Sequence, residues 1–285
     1  MFKYRLISFP LLLLLAFAVV CWQPCGRWIF MVLALPVAAA AVWESCAIAG
    51  KLNLPTHRIL ALILAMLVMT GYGFGTTLPE QTASLPDITT LLILWFAVSM
   101  AMILFVREEK RGKFTAAALA TPGVLIFALL PVVTLTRIYL DYGAMIFLSL
   151  VLATKASDTG GYIVGMLTNK LMKNGNHKIV PSISPKKSWE GTVGAAVFSI
   201  AVAWLLVHFE CIELTGTEML IFGFLAFLGS FAGDLTESQL KRTAMIKDSA
   251  NWIPGMGGIL DVLDSFIYNA PLFYLVLENG VIICQ

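Results

Sequence analysis

Charged side chains are scarce in this 285-residue chain: 19 Lys or Arg and 17 Asp or Glu make up 13% of it, about half the density of a soluble domain. With 59% hydrophobic residues and a mean hydropathy of +0.87, the shortage excludes both a water-soluble globule and a disordered chain. A surplus of one sign is also missing, because the net charge is only +2. No bulk electrostatic attraction to nucleic acid follows, and no nucleic-acid partner is expected. The five cysteines (Cys21, Cys25, Cys46, Cys211, Cys284) are odd in number and lack CxxC or Cys/His spacing. They read as small buried hydrophobes, which excludes a disulfide framework and a zinc site. Fixed-period repeats and low-complexity tracts are absent as well, so residues 1–285 read as a single integral membrane domain.

What is present in quantity is long apolar runs. A bilayer core about 30 Å thick needs about 20 such residues per helix. Nine runs qualify, at roughly 7–24, 28–48, 59–78, 88–106, 115–135, 142–165, 191–209, 218–233 and 264–283. The expected fold is all-α, a polytopic transmembrane helix bundle of about nine spans. Lys3 and Arg5 before the run at Leu11–Val20 resemble a secretory signal, but no small-x-small cleavage site is evident and a second span follows at once. The run is therefore read as an uncleaved first helix. Connections on one side carry 16 of the 19 basic residues, while the other side carries Glu80, Asp87, Asp141, Glu210, Glu213 and Glu218. The positive-inside rule then puts the N-terminus in the cytoplasm and the C-terminus outside.

The remaining charge is concentrated. Residues 155–190 and 234–264 hold 16 of the 36 charged side chains. The chain thus divides into N-terminal spans, 1–140, and a catalytic half, 141–285, with cytoplasmic loops at 166–190 and 234–264. In the first segment Lys155 and Asp158 share a helical face at or near membrane depth, where ionisable groups are costly and face an interior or a wet cavity. They form either a functional pair or a self-satisfying ion pair. Gly160 and Gly161 thin the same helix where another backbone or a ligand can approach. Farther on, Pro181 and Pro185 stiffen a loop whose Ser184, Lys186, Lys187 and Ser188 are donors suited to phosphate oxygens. An ordinary positive-inside loop is the alternative.

In the second segment Asp234 closes one span, and Asp261 and Asp264 open another with i,i+3 spacing. Three carboxylates gathered at helix ends repel one another unless a cation lies between them, and an all-oxygen set favours Mg²⁺. Pro254-Gly255-Met256-Gly257-Gly258 is a turn running into a helix start, a place that attracts anions. Together with Lys241, Arg242 and Lys247, this favours a metal-assisted phosphate site over a structural hairpin.

The order Ser238-x-Leu240-Lys241-Arg242, Lys247-Asp248, Pro254-Gly255-x-Gly257-Gly258-x-x-Asp261-x-x-Asp264 resembles the signature of the phosphatidate cytidylyltransferases, or CDP-diacylglycerol synthases. Ser157-Asp158-Thr-Gly-Gly-Tyr162 and Ile183-Ser184-Pro185-Lys186-Lys187-Ser188-Trp189-Glu190-Gly191 are similar to two further family stretches, in the same order. Close agreement covers about a quarter of the chain. The resemblance implies an enzyme of phospholipid biosynthesis that joins CTP and phosphatidic acid into CDP-diacylglycerol and pyrophosphate. It further implies Mg²⁺, with one or two cations held by Asp234 and Asp261 with help from Asp264. Lys241 and Arg242 would act in catalysis. Asp158, Ser184, Lys186, Lys187, Lys247, Asp248, Gly255, Gly257 and Gly258 would line the nucleotide and lipid-phosphate site. It places the enzyme in a bacterial cytoplasmic membrane with the site facing the cytoplasm, and a homodimer is compatible with such a bundle.

The chain departs from the family at Met256, where the family has His, at Val262, where it has Arg, and in a longer Met166–Asn176 connection. Loss of the His does not remove the chemistry, because the nucleophile is a phosphate monoester with a second pKa of about 6 and needs no general base. The rival readings are a CTP-dependent kinase of polyprenol or phytol, an inactive relative, and a transporter. The first five spans argue against the last, since Glu44 is the one Asp, Glu, Lys or Arg within them.

Overall fold

The computed structural model describes residues 26–75, 108–173, 175–253 and 257–282. The expected spans at 7–24 and 88–106 lie outside these residues. The described residues are helical, with two isolated β-bridges and no strand. Four of the helices are long and apolar enough to cross a membrane: α1 (Gly26–Lys51), α3 (Glu108–Tyr142, from Gly112 onward), α5 (Trp189–His208) and α6 (Gly216–Thr243). Between them lie α2 (Arg58–Gly75) and α4 (Ala144–Leu171), and after them a four-residue turn α7 (Leu260–Leu263) and α8 (Phe266–Glu278).

Two boundaries differ from the sequence expectation in ways that matter for the site. Helix α6 does not stop at Asp234. It runs on to Thr243, because Glu237 and Lys241 pair one turn apart and Lys241 and Arg242 complement the carboxyl end of the helix dipole. Helix α4 likewise continues past residue 165 to Leu171. Helices α3 and α4 are separated only by Gly143, whose φ of 93° gives the break that an L side chain would resist.

Small residues let the helices of the second half approach closely. A Cβ at Gly160 of α4 would lie 2.5 Å from Phe198 Cβ and 2.8 Å from the Gly194 carbonyl of α5, and one at Gly191 would lie 2.8 Å from the Gly161 carbonyl. The glycines noted at 160 and 161 thus admit another backbone. The core runs through both halves, with Phe222 of α6 edge-on to Phe273 of α8 at 4.8 Å and Leu150 of α4 fully enclosed. One of its buried polar side chains is Asn269 of α8, which donates to Thr154 of α4 at 2.5 Å and to the Ala226 carbonyl of α6 at 3.3 Å. That tie fixes α8, and so Asp264 and Ser265 before it, against α4 and α6.

Candidate active site

The loop between α4 and α5 is built to hold its lysines still. Its base is closed by a bridge between Lys178 and Ser188 and by Trp189 N–H donating to the His177 carbonyl at 2.9 Å. Turns from Val180 to Ser184 and from Ser184 to Lys187 fold the segment over the start of α5. The Ser188 hydroxyl, expected among the phosphate donors, is buried; its oxygen accepts from Gly191 N at 3.1 Å and from Asn176 Nδ2 at 2.9 Å. It serves as the N-cap of α5. Lys187 reaches across to α6, its Nζ 3.1 Å from Asp234 Oδ2 and 4.8 Å from the Phe231 ring centroid. Arg242, at the far end of α6, donates to the Ile183 carbonyl at 3.4 Å.

Behind this loop three carboxylates gather around one hydroxyl. Ser265 Oγ lies 2.9 Å from Asp158 Oδ2, 3.3 Å from Asp234 Oδ1 and 3.0 Å from Asp264 Oδ1. Asp158 also receives Lys155 Nζ at 3.1 Å and Ser230 Oγ at 2.5 Å, and the same lysine donates to Ser265 Oγ at 3.1 Å. Gly233 is essential to the closeness, because a Cβ there would strike the Asp264 carbonyl. A cleft of about 230 Å³ opens beside the cluster, lined by Asp158, Tyr162, Ser184, Lys186, Lys187 and Asp234 among others. The structure therefore brings together five residues expected from two separate sequence segments.

A second arm extends along α6. Lys241 Nζ lies 2.6 Å from Glu237 Oε2 and 2.7 Å from Asp261 Oδ1. Asp261 also accepts from Gly258 N at 2.7 Å and from Ser249 N at 2.9 Å, with Ser249 Oγ lying 2.9 Å from the same Oδ2. Burial raises its carboxyl, but the Gly258 N–H, Lys241 and the Ser249 N–H together outweigh that and hold it below the ordinary carboxylate range. The metal trio expected from the sequence is thereby divided. Asp234 and Asp264 share Ser265, joined there by Asp158, whereas Asp261 stands with Lys241. Among the described residues no three Asp, Glu, His or Cys side chains converge on a single point at ligand distance.

The glycine turn also differs from expectation. Gly257 takes φ 97°, and the N–H groups of Gly258, Ile259 and Leu260 point inward, to Asp261 and to Glu44 of α1. The anion at this helix start is the protein's own. Lys247 and Asp248 are exposed, and Gly255 and Met256 lie outside the described residues. Three participants carried no assigned role in the sequence reading. Glu237 is 1% exposed and shares a helical face with Asp234 and Lys241, a pattern that spacing alone could have flagged. Glu44 was visible as a lone charge in an apolar run. Ser265 had no signal, since only the tertiary fold makes it the hub.

The sequence profile described as the cytidylyltransferase family matches residues 3–279. The chain belongs to the cytidylyltransferase family. It is 29% identical to the phosphatidate cytidylyltransferase of Haemophilus influenzae over 255 residues, covering 83% of this chain and 85% of that one. The Bacillus subtilis enzyme of the same name is 29% identical over 266 residues, 85% of this chain and 94% of the relative. Phosphatidate cytidylyltransferase 4, chloroplastic, of Arabidopsis thaliana is 47% identical over 100 residues, 35% of this chain but only 26% of the plant protein. In this member of the cytidylyltransferase family the cleft is lined by Lys186, Lys187, Asp158 and Asp234.

Proposed function

We propose that this protein is a phosphatidate cytidylyltransferase, forming CDP-diacylglycerol and pyrophosphate from CTP and phosphatidic acid. The observation that carries the reading is the cleft in which Lys186 and Lys187 face Asp158 and Asp234 in a chain of this family. A phosphate oxygen of the lipid attacks the α-phosphorus of CTP, and the bond from that phosphorus to the bridging oxygen of pyrophosphate breaks. Since the lipid phosphate is already largely dianionic at neutral pH, the residues must position and neutralise rather than remove a proton. Lys186 and Lys187 draw phosphate oxygens into the cleft, and Ser184 donates beside them. Lys241 and Arg242 offset charge on the nucleotide.

Carboxylate and hydroxyl oxygens without Cys or His are the donor chemistry that Mg²⁺ takes. Asp158, Asp234 and Asp264 meet at Ser265 with Lys155 and Lys187 beside them, and Glu237 Oε1 is buried nearby with no donor among the described residues. Asp234, Asp264 and Asp158 are the residues that would hold it, with Asp261 setting Lys241 from the second arm. When bound, Mg²⁺ supplies charge neutralisation at the phosphates. Nine spans, a cytoplasmic N-terminus, an external C-terminus and a bacterial inner-membrane location with the site facing the cytoplasm complete the proposal. A homodimer fits the same bundle.

Labelled CTP tests the reaction. Label in the α-phosphate should enter chloroform-soluble lipid with phosphatidate as acceptor, while label in the γ-phosphate leaves as pyrophosphate. Transfer of the γ-label to an isoprenoid alcohol would instead establish the kinase reading.

A further inference from the structure

Glu44 lies on α1, in the half of the chain that carries none of the signature residues, and is 1% exposed. A carboxylate inside an apolar helix is costly unless its oxygens are fully engaged. These are. Oε1 accepts from Ile259 N at 2.9 Å, and Oε2 accepts from Leu260 N at 2.8 Å and from Ser249 Oγ at 2.7 Å. Gly258 must lack a side chain for this to happen, because a Cβ there would strike both Glu44 Oε2 and Ser249 Oγ.

The contacts do not end at the turn. Ser249 Oγ stands between Glu44 and Asp261, and Asp261 Oδ1 faces Lys241 Nζ at 2.7 Å. A continuous chain of charged and polar groups therefore runs from a membrane helix of the N-terminal half to a lysine of the site. We infer that Glu44 is a positioning residue for cytidylyl transfer: it locks the signature turn onto α1 and thereby sets the Asp261–Lys241 pair at the nucleotide phosphates. The inference rests on the cytidylyltransferase reading above. Lys241 lies about two helical turns beyond Asp234, on the other arm from the cleft beside Asp158. Its misplacement should accordingly be felt by CTP more than by the lipid.

Purified full-length protein in mixed micelles tests this, with CTP and phosphatidate varied separately. Glu44→Gln keeps the side-chain volume but turns an NH2 toward N–H donors, and should raise the KM for CTP about tenfold. The KM for phosphatidate should stay within about twofold. Ser249→Ala should raise the KM for CTP about threefold, and the double variant should remain near tenfold because both act through one chain of contacts. A purely structural role predicts lower kcat from loss of folded protein with both KM values unchanged, and that result overturns the inference. If Glu44→Gln does not accumulate folded, Ser249→Ala decides alone, an unchanged KM for CTP again overturning it. Wild-type protein that makes no CDP-diacylglycerol overturns the cytidylyltransferase reading and this inference with it; wild-type activity with unaltered variant KM overturns this inference only.

Discussion

Lys187 and Asp234 come from segments 47 residues apart and meet at 3.1 Å, which links the Lys186–Lys187 loop directly to the carboxylate cluster. Asp234→Asn keeps the shape and removes the charge, and should lower kcat by at least about a hundredfold while the protein remains in the membrane. Lys187→Met should raise the KM for CTP or phosphatidate and lower kcat/KM by a similar factor, read by steady-state assay. Asp261 carries a pH prediction. Its folded carboxyl lies below the ordinary range, so its stabilising contribution is complete above the unfolded value of about 3.9 and disappears as pH falls through the lower folded value. The thermal midpoint of the wild type should therefore drop on acidification below about pH 4, and Asp261→Asn should lose that component of the drop. These roles were unequally visible in the sequence. Asp158, Lys187 and Asp234 stood out as charges in an apolar chain, but which carboxylate faces which cation is decided by packing that spacing cannot show. The i,i+3 relation of Asp261 and Asp264 suggested a shared ligand face; the short turn at Leu260–Leu263 sends one to Lys241 and the other to Ser265.

Helices α4 and α5 meet through glycine, and the site depends on that crossing because the Lys186–Lys187 loop is the link between them. Gly160→Ala would press a methyl onto Phe198 and the Gly194 carbonyl. It should cost about 1–3 kcal/mol, seen as a lowered thermal midpoint in detergent. Activity should fall with it, since Ser188 and Asn176 can no longer hold the loop base in register. The presence of these helices was legible from hydropathy. Their ends were not, because α6 continues for more than two turns of polar sequence after its apolar stretch, stabilised by Glu237–Lys241 rather than by membrane burial. Gly160 and Gly161 marked a close approach in the sequence, but their spacing does not distinguish a neighbouring backbone from a ligand.

At the scale of the molecule, hydropathy identified the class of fold, and four helices among the described residues meet the length and apolarity a membrane crossing needs. The proposed orientation can be checked with single cysteines introduced near each terminus of a cysteine-free variant. A membrane-impermeant thiol reagent applied to intact cells should label the C-terminal position and spare the N-terminal one. The expected division into N-terminal spans and a catalytic half rests on composition. Glu44 ties α1 to the turn at Ile259, a contact 215 residues long in sequence that no local pattern could have shown. Incubation of purified protein with phosphatidate, labelled CTP and Mg²⁺ tests the proposed reaction directly. Equimolar CDP-diacylglycerol and pyrophosphate, abolished by chelator and by Asp234→Asn, is the predicted result. No labelled lipid from folded wild-type protein, or full activity in Asp234→Asn, would contradict the account.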